Sequence, residues 1–232
     1  MSDDFWSRYN EIVNALVCPL LPEDGETQEA VAAAEKRLGV RLPGLLRDYY
    51  LRTGNRGDLN GSHDRLIELS HLSVDLEQLV FYEENQGVCS WSIALADLAS
   101  DDPPVGVGLD LEGHTDLTWE DFSAALSEFL ITKLLWQCAN GGMTYGGVAK
   151  VGRDPTVSAP AWRRHADTGQ AGLIALWREG QLVVVYGPPE WYLHGGGRTA
   201  TDFCALEVEF AISWDYADRH CLDSKDWPGA ER

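Results

Sequence analysis

The sequence contains no lysine or arginine between Arg65 and Lys133. The same segment holds fourteen carboxylates, and the whole chain carries a formal net charge of -19. This balance repels nucleic-acid phosphates and anionic membrane surfaces, so the sequence predicts no direct nucleic-acid binding and no membrane binding. The fourteen acidic residues are Glu68, Asp75, Glu77, Glu83, Glu84, Asp97, Asp101, Asp102, Asp110, Glu112, Asp116, Glu120, Asp121 and Glu128.

Signals for export, membrane insertion and disulfide bonding are also missing. The N-terminus has neither the basic region nor the apolar region of a secretory signal peptide. No apolar run approaches the ~18 residues that span a membrane. The five cysteines are widely scattered and form no C-x-x-C pair, which argues against a disulfide framework or a zinc knuckle. We therefore expect a cytoplasmic protein with reduced thiols.

The sequence lacks the patterns that usually accompany catalysis. The run His194-Gly195-Gly196-Gly197 imitates the oxyanion loop of some esterases, but no G-x-S-x-G nucleophile motif accompanies it. The histidines form no H-E-x-x-H pattern. Residues 110–116 place ligand-type side chains at every second position. They could form a calcium or transition-metal site, or they could be a solvated strand end or loop. The distal glutamate of a calcium loop is missing there, so we predict no metal, no cofactor and no enzymatic activity. The alternating residues are Asp110, Glu112, His114 and Asp116.

The chain contains enough apolar material for a folded core. Hydrophobic residues make up 44% of its 232 residues, whereas disorder requires low apolar content. Apolar spacings of three and four residues predict helices over 5–17, 27–38 and 43–54. Short apolar runs between polar turns predict strands over 66–69, 79–82, 88–95 and 105–109. Within the third strand, alternation places Trp91 and Ile93 on one face and Ser90 and Ser92 on the other.

The second half of the chain gives weaker signals. Thr118 and Asp121 have the spacing of a capping box and predict the start of a long helix that ends near residue 141. Residues 140–170 are rich in Gly, Pro, Thr and Arg and indicate a loop. Glu179-Gly180 lies between two apolar runs and predicts a β-hairpin. Residues 203–210 favour a helix over a strand, with Thr201 as the N-cap candidate.

These elements indicate an α+β protein that forms a single domain over residues 1–232. We expect a central, mixed but largely antiparallel sheet, cupped by the N-terminal helices and by the long helix. A C-terminal extension over residues 171–232 adds the hairpin and the last helix.

The stretch Ala34-Glu-Lys-Arg-Leu-Gly-Val-Arg-Leu-Pro43, followed by Leu46, Tyr49 and Tyr50, resembles the opening motif of the SUKH superfamily. That superfamily includes the Smi- and Knr-type regulators and many bacterial immunity proteins. Its pattern is an acidic residue, Leu-Gly, Leu-Pro and an aromatic helix that ends near Asn-Gly. Gly54-Asn55 reverses the last pair. The matching residues are Glu35, Leu38, Gly39, Leu42 and Pro43.

Later segments follow in the family's order. Residues 85–91 resemble its Gly-to-Trp strand, 102–105 its Pro-Pro-Val strand entry, and 127–130 its Phe-Leu helix. The resemblance therefore covers about residues 25–138, and it implies an α+β fold with a mixed sheet cupped by helices. In bacteria it also implies neutralisation of a polymorphic toxin by direct binding.

On that basis we expect an immunity-type protein that binds a cognate toxin domain through an acidic surface. Carboxylates on the sheet would mimic phosphate and occlude a basic cleft, such as that of a nuclease-type toxin. The alternative is an intracellular regulatory or scaffold protein that binds a host partner, and a hydrolase or metal-dependent enzyme is a third possibility. Aromatic anchors would contribute the binding hot spots. The candidate partner-binding residues are Glu83, Glu84, Trp91, Asp101, Asp102, Asp110, Glu112, Trp191 and Tyr192.

Overall fold

The computed structural model describes residues 2–109, 118–158, 161–166, 173–187 and 189–217. The chain divides into two compact units. Unit 1 comprises Met1–Phe5, Leu20–Ile131 and Thr168–Gln170, and unit 2 comprises Trp6–Pro19, Thr132–Asp167 and Ala171–Arg232. This division was not expected from the sequence, which indicated one domain.

The N-terminal helices follow the predicted apolar spacing. In the first helix, Tyr9, Ile12 and Leu16 are fully buried. The second begins where the Thr27 hydroxyl accepts the Ala30 N–H at 3.1 Å, and it ends at Gly39. No described helix has the length and apolar character needed to cross a membrane. The described helices are α1 (Ser2–Leu16), α2 (Gln28–Leu38), α3 (Gly44–Thr53), α4 (Gly57–Asn60), α5 (Leu126–Gln137) and α6 (Ala200–Phe210).

The strands of the described ranges form two six-stranded sheets. The unit-1 sheet has the order β1-β3-β4-β5-β6, with β2 also paired to β3, and the unit-2 sheet has the order β12-β7-β11-β10-β9-β8. Every pairing among the described strands is antiparallel. The strands are β1 (Arg65–Leu66), β2 (Ser73–Asp75), β3 (Gln78–Glu83), β4 (Cys89–Ala94), β5 (Val105–Leu109), β6 (Thr118–Ser123), β7 (Tyr145–Val151), β8 (Arg163–Ala166), β9 (Ile174–Arg178), β10 (Gln181–Tyr186), β11 (Trp191–Gly197) and β12 (Tyr216–Ala217).

An aromatic cluster holds one face of the unit-1 sheet to the first turns of α5. The Phe129 ring lies 5.5 to 6.0 Å from the rings of four aromatic residues on strands β3, β4 and β6. Most of these pairs meet edge to face, the arrangement that aromatic quadrupoles favour. The four partners of Phe129 are Phe81, Tyr82, Trp91 and Phe122.

Helices lie on both faces of the unit-2 sheet. On one face, Phe203, Leu206 and Phe210 of α6 pack in a core cluster with apolar residues of β9, β10 and β11. On the other face, the His165 ring bonds to Arg8 of α1 and Thr132 of α5. The sheet is therefore the middle layer of unit 2.

The structure confirms the α+β class but corrects the sheet arrangement. The described strands form two sheets where one was expected, and none of their pairs is parallel. Residues 118–123 form strand β6, so the predicted capping box at Thr118 was wrong and α5 begins only at Leu126. The expected loop over 140–170 contains strands β7 and β8. Strands β9 to β12 of the expected C-terminal extension belong to the unit-2 sheet.

Two predictions for the C-terminal part of the chain, a β-hairpin and a helix, are confirmed. Strands β9 and β10 form the predicted hairpin, in which Arg178 pairs with Gln181 and Gly180 adopts a φ of 74°. The helix predicted over 203–210 is α6, although its N-cap is Thr199 rather than Thr201. The Thr199 hydroxyl accepts the Asp202 N–H at 3.1 Å, while the Asp202 carboxylate accepts the Thr199 N–H.

Candidate partner-binding surface

The unit-1 sheet has a face with small side chains at its centre, opposite the aromatic cluster. Ser90 lies opposite Gly108 and Ser92 opposite Gly106 across β4 and β5, and residues opposite each other in an antiparallel pair share a face. The Ser92 hydroxyl donates to the Gln78 side-chain oxygen at 2.9 Å. We call this side of the sheet the outer face. Its centre is low because serine and glycine project little above the backbone; Ser92 there is fully buried, whereas Ser90 is partly exposed.

Strand β6 forms a wall along one side of the outer face. The Trp119 ring lies over Gly108, where an added Cβ would approach the ring to 2.8 Å. Asp121 lies opposite Gly106 and is exposed. The glycine at 108 is therefore required by the close approach of an indole, and the same strand adds a carboxylate beside it.

The opposite side of the outer face contains a cavity of about 700 Å³ between β1, β2, β3 and the segment joining β1 to β2. Three of its lining side chains are carboxylates, Glu68, Asp75 and Glu83. The Arg65 guanidinium forms an ion pair with Glu83, and His71 lies 3.5 Å from the Glu68 carboxylate. Because the three carboxylates outnumber the basic side chains of Arg65 and His71, the cavity lining is net acidic.

Of the predicted carboxylates that the structure describes, Glu83 alone lies on the outer face. Glu83 lines the cavity, whereas Glu84 accepts the N–H groups of Gln86 at 2.8 Å and Val88 at 3.3 Å in the β3–β4 turn. Asp101 is exposed beside Gly44 at the start of α3, and Asp102 bonds to α5. The predicted residues Asp110 and Glu112 lie outside the described residues.

The predicted aromatic anchors pack against residues of the unit to which each belongs. Trp91 is only 5% exposed and belongs to the aromatic cluster, so the expectation that it anchors a partner was wrong. Trp191 is half-buried and packs against the unit-2 core cluster. Tyr192 stacks on Tyr186 with 5.3 Å between ring centroids and donates to Glu190 at 3.0 Å.

Hydrogen bonds and nearby charges shift the pKa values of Tyr192 and Glu190. The hydrogen bond to Glu190 raises the pKa of Tyr192 above its ordinary value. A hydrogen bond from the Lys150 ammonium, at 2.6 Å, lowers the pKa of Glu190. Lys150 on β7, Tyr192 on β11 and Glu190 just before β11 therefore form a local polar cluster in unit 2, separate in sequence from the acidic segment.

Neither alternative chemical site gains support from the described residues. No group of three His, Cys, Asp or Glu side chains in the described ranges is placed to hold a metal ion, and residues 110–116 lie outside them. The glycines of the His194 run belong to strand β11. His194 itself is buried against Trp136 at 4.9 Å and bonds to the Asn140 side-chain oxygen at 2.7 Å.

Sequence reasoning missed Asp75, Glu68 and Asp121 as members of one surface. All three lie in the lysine-free and arginine-free segment, so charge alone was a usable signal. Their positions depend on strand pairings that single-sequence patterns do not reveal, because β2 was unrecognised and β6 was assigned to a helix. Comparison with protein-family models, curated proteins and solved structures finds no match for this chain. Its resemblance to the SUKH superfamily therefore stays a prediction.

Proposed function

We propose that this chain is an immunity-type protein that binds and neutralises a cognate bacterial toxin domain through the outer face of the unit-1 sheet. The observation that carries the proposal is the acidic lining of that face, where Glu68, Asp75 and Glu83 border one cavity. Across the low centre of the sheet, Asp121 adds a fourth carboxylate. A toxin whose cleft is rich in lysine and arginine complements this surface.

Complementary charge acts mainly on the rate of association and on the choice of partner. A basic cleft that binds phosphate would approach the outer face favourably, and the bound chain would then block access to the cleft. Since exposed charges are screened by salt over roughly 8–10 Å at physiological ionic strength, association should slow as salt is added.

The test uses the purified product of the reading frame next to this gene and follows its association with the full chain. Asp75→Lys and Asp121→Lys should each slow association several-fold, and the salt dependence should become shallower. Glu29→Lys is the matched control, because Glu29 is an exposed carboxylate of unit 1 on α2. The same variants should lose protection in cells that express the neighbouring product.

Two outcomes would contradict the proposal. Absence of binding between the wild-type chain and the neighbouring product would remove the toxin assignment. Binding that both outer-face reversals, Asp75→Lys and Asp121→Lys, leave unchanged would show that the outer face is not the contact surface. Asp102 is unsuitable for this experiment because its carboxylate bonds to α5.

A further inference from the structure

The turn between β2 and β3 has an unusual backbone for its residues. Asp75 pairs with Gln78, so Leu76 and Glu77 alone form the loop. Their φ angles are 45° and 62°, both in the left-handed region. A two-residue hairpin loop with positive φ at both positions normally uses Asn-Gly, because side chains with a bulky Cβ substituent crowd the backbone there. Leucine and glutamate therefore hold this turn at a steric cost.

The leucine in this turn is also exposed to solvent. Leu76 is 59% exposed, and Val74 on the adjoining strand is 39% exposed. By contrast, Leu66, Leu72 and Leu79 of the same region are buried. An exposed leucine in a left-handed conformation adds little to the folded core, and sterically costly backbone is concentrated at functional sites.

The turn is fixed in place and belongs to the hairpin that borders the acidic cavity. The Glu77 carbonyl accepts the Leu95 N–H at 2.8 Å, which ties the turn to the end of β4. Asp75 lines the cavity one residue before the turn. Leu76 is consequently presented between two acidic residues, Asp75 and Glu77, with its backbone already ordered.

We propose that Leu76 is the apolar anchor of the partner-binding surface. The partner it fits is a protein with a small apolar pocket flanked by lysine or arginine, because the leucine is bracketed by carboxylates. An ordered backbone reduces the entropy lost on binding, and a central apolar side chain that fills a pocket is the usual form of a hot spot. This inference rests on the proposed function, since it assigns one residue of that surface the apolar contact.

Leu76→Ala tests the apolar contact with the neighbouring gene product as the probe. Burying a leucine side chain on binding corresponds to at least about a tenfold change in dissociation constant. We expect that loss for Leu76→Ala and almost none for Leu21→Ala. Leu21 is a suitable control because it lies in the same unit and is 54% exposed.

A second variant separates the contact from the stability of the turn. Leu76→Asn combined with Glu77→Gly installs the pair that this backbone prefers. The urea midpoint of unfolding should rise, while binding to the neighbouring product should weaken. An unchanged or lower midpoint would overturn the claim that the turn carries a steric cost, and with it the inference.

The binding outcomes distinguish this inference from the proposed function. If Asp75→Lys and Asp121→Lys slow association but Leu76→Ala binds like the wild type, the acidic surface stands and the anchor is refuted. If Leu76→Ala weakens binding and the charge reversals do not, Leu76 makes an apolar contact, but the acidic surface and the basic groups inferred around the pocket are both refuted. A neighbouring product that does not bind the wild-type chain overturns both.

Discussion

The Asp102 carboxylate caps the first turn of α5 through Ser127. One carboxylate oxygen accepts the Ser127 backbone N–H at 2.7 Å, and the other accepts the Ser127 hydroxyl at 2.7 Å. The neighbouring Pro103 carbonyl accepts the Leu126 N–H, also at 2.7 Å. The first N–H groups of a helix have no acceptor within the helix. At the start of α5, Asp102 and Pro103 accept two of them.

Asp102→Ala is expected to destabilise unit 1. Removing a side chain that caps a helix costs about 0.5–2 kcal/mol of unfolding free energy, and the loss of the carboxylate at the helix start adds to it. Urea denaturation followed by circular dichroism measures the change. Asp101→Ala is the matched control, because the Asp101 side chain is exposed and makes no contact with α5 among the hydrogen bonds of the described residues. Equal destabilisation by the two variants would contradict the capping role.

This adjacent pair also illustrates what the sequence could and could not predict. Charge placed Asp101 and Asp102 together in an acidic surface, yet a carboxylate used as a helix cap is indistinguishable by charge from one that faces solvent. The alternation of β4 was predicted correctly, since Trp91 and Ile93 are buried on the face opposite Ser90 and Ser92. Which face α5 covers is set by tertiary packing, and local patterns do not contain that information.

The missed strands have a related cause. In β7, Gly146 and Gly147 suggested a loop, because glycine weakens strands and marks turns. In the structure an added Cβ on Gly147 would approach the Phe203 ring to 2.9 Å, so the glycine is required by tertiary packing. Strand β6 was assigned to a helix since Thr118 and Asp121 fit a capping box by spacing alone. Pairing with β5 overrides that local signal.

Gly197→Ala should destabilise unit 2. An added Cβ at this position would lie 2.6 Å from the Phe203 backbone nitrogen and 2.7 Å from its Cα, so α6 would have to move away from β11. Overpacking of this kind costs about 1–3 kcal/mol. Thermal and urea unfolding of the variant measure the effect. Gly57→Ala is the control, because nothing lies within 4 Å of the corresponding Cβ. Wild-type stability in Gly197→Ala would contradict the close packing of α6.

Acid should weaken the ion pairs that hold the segment before α2 to α4. Arg56 donates to Asp24 at 2.9 Å and to Asp58 at 2.7 Å. Burial alone would raise the pKa of Asp24, but hydrogen bonds from the Leu21 N–H and from Arg56 outweigh it and lower the pKa below its ordinary value. Because the folded pKa is the lower one, the stabilisation is complete above the unfolded value of about 3.9 and is lost as pH falls through the folded pKa.

Asp24→Asn should therefore flatten the pH dependence of stability in acid. Unfolding free energies measured from neutral pH down to about pH 2.5 should converge for the variant and the wild type as the wild-type carboxyl becomes protonated. Glu23→Gln is the control, since Glu23 is the adjacent acidic residue and its side chain is exposed. This account would be contradicted if the unfolding free energy of Asp24→Asn fell with pH as steeply as that of the wild type. It would also be contradicted if Glu23→Gln reduced the pH dependence as much as Asp24→Asn.

His165 links three elements of unit 2 and should be needed for its stability. Its Nδ1 lies 2.6 Å from the Arg8 guanidinium on α1, and its Nε2 lies 2.8 Å from the Thr132 hydroxyl on α5. A guanidinium only donates hydrogen bonds, so Nδ1 accepts and the neutral ring carries its proton on Nε2, where it donates to Thr132. The side chain is 3% exposed, so little water can replace either bond.

His165→Phe preserves much of the ring volume but removes both bonds. The buried Thr132 hydroxyl then no longer accepts a hydrogen bond from residue 165. Leaving a buried polar group without its hydrogen bond lowers the unfolding free energy by about 1–3 kcal/mol. Hydrogen exchange should show faster exchange at β8 and β9, with the amides of β3 and β4 changing less. His71→Phe is the control because the His71 side chain is 75% exposed. Unchanged protection at β8 and β9 in His165→Phe would show that packing alone holds these strands and that the two hydrogen bonds are dispensable.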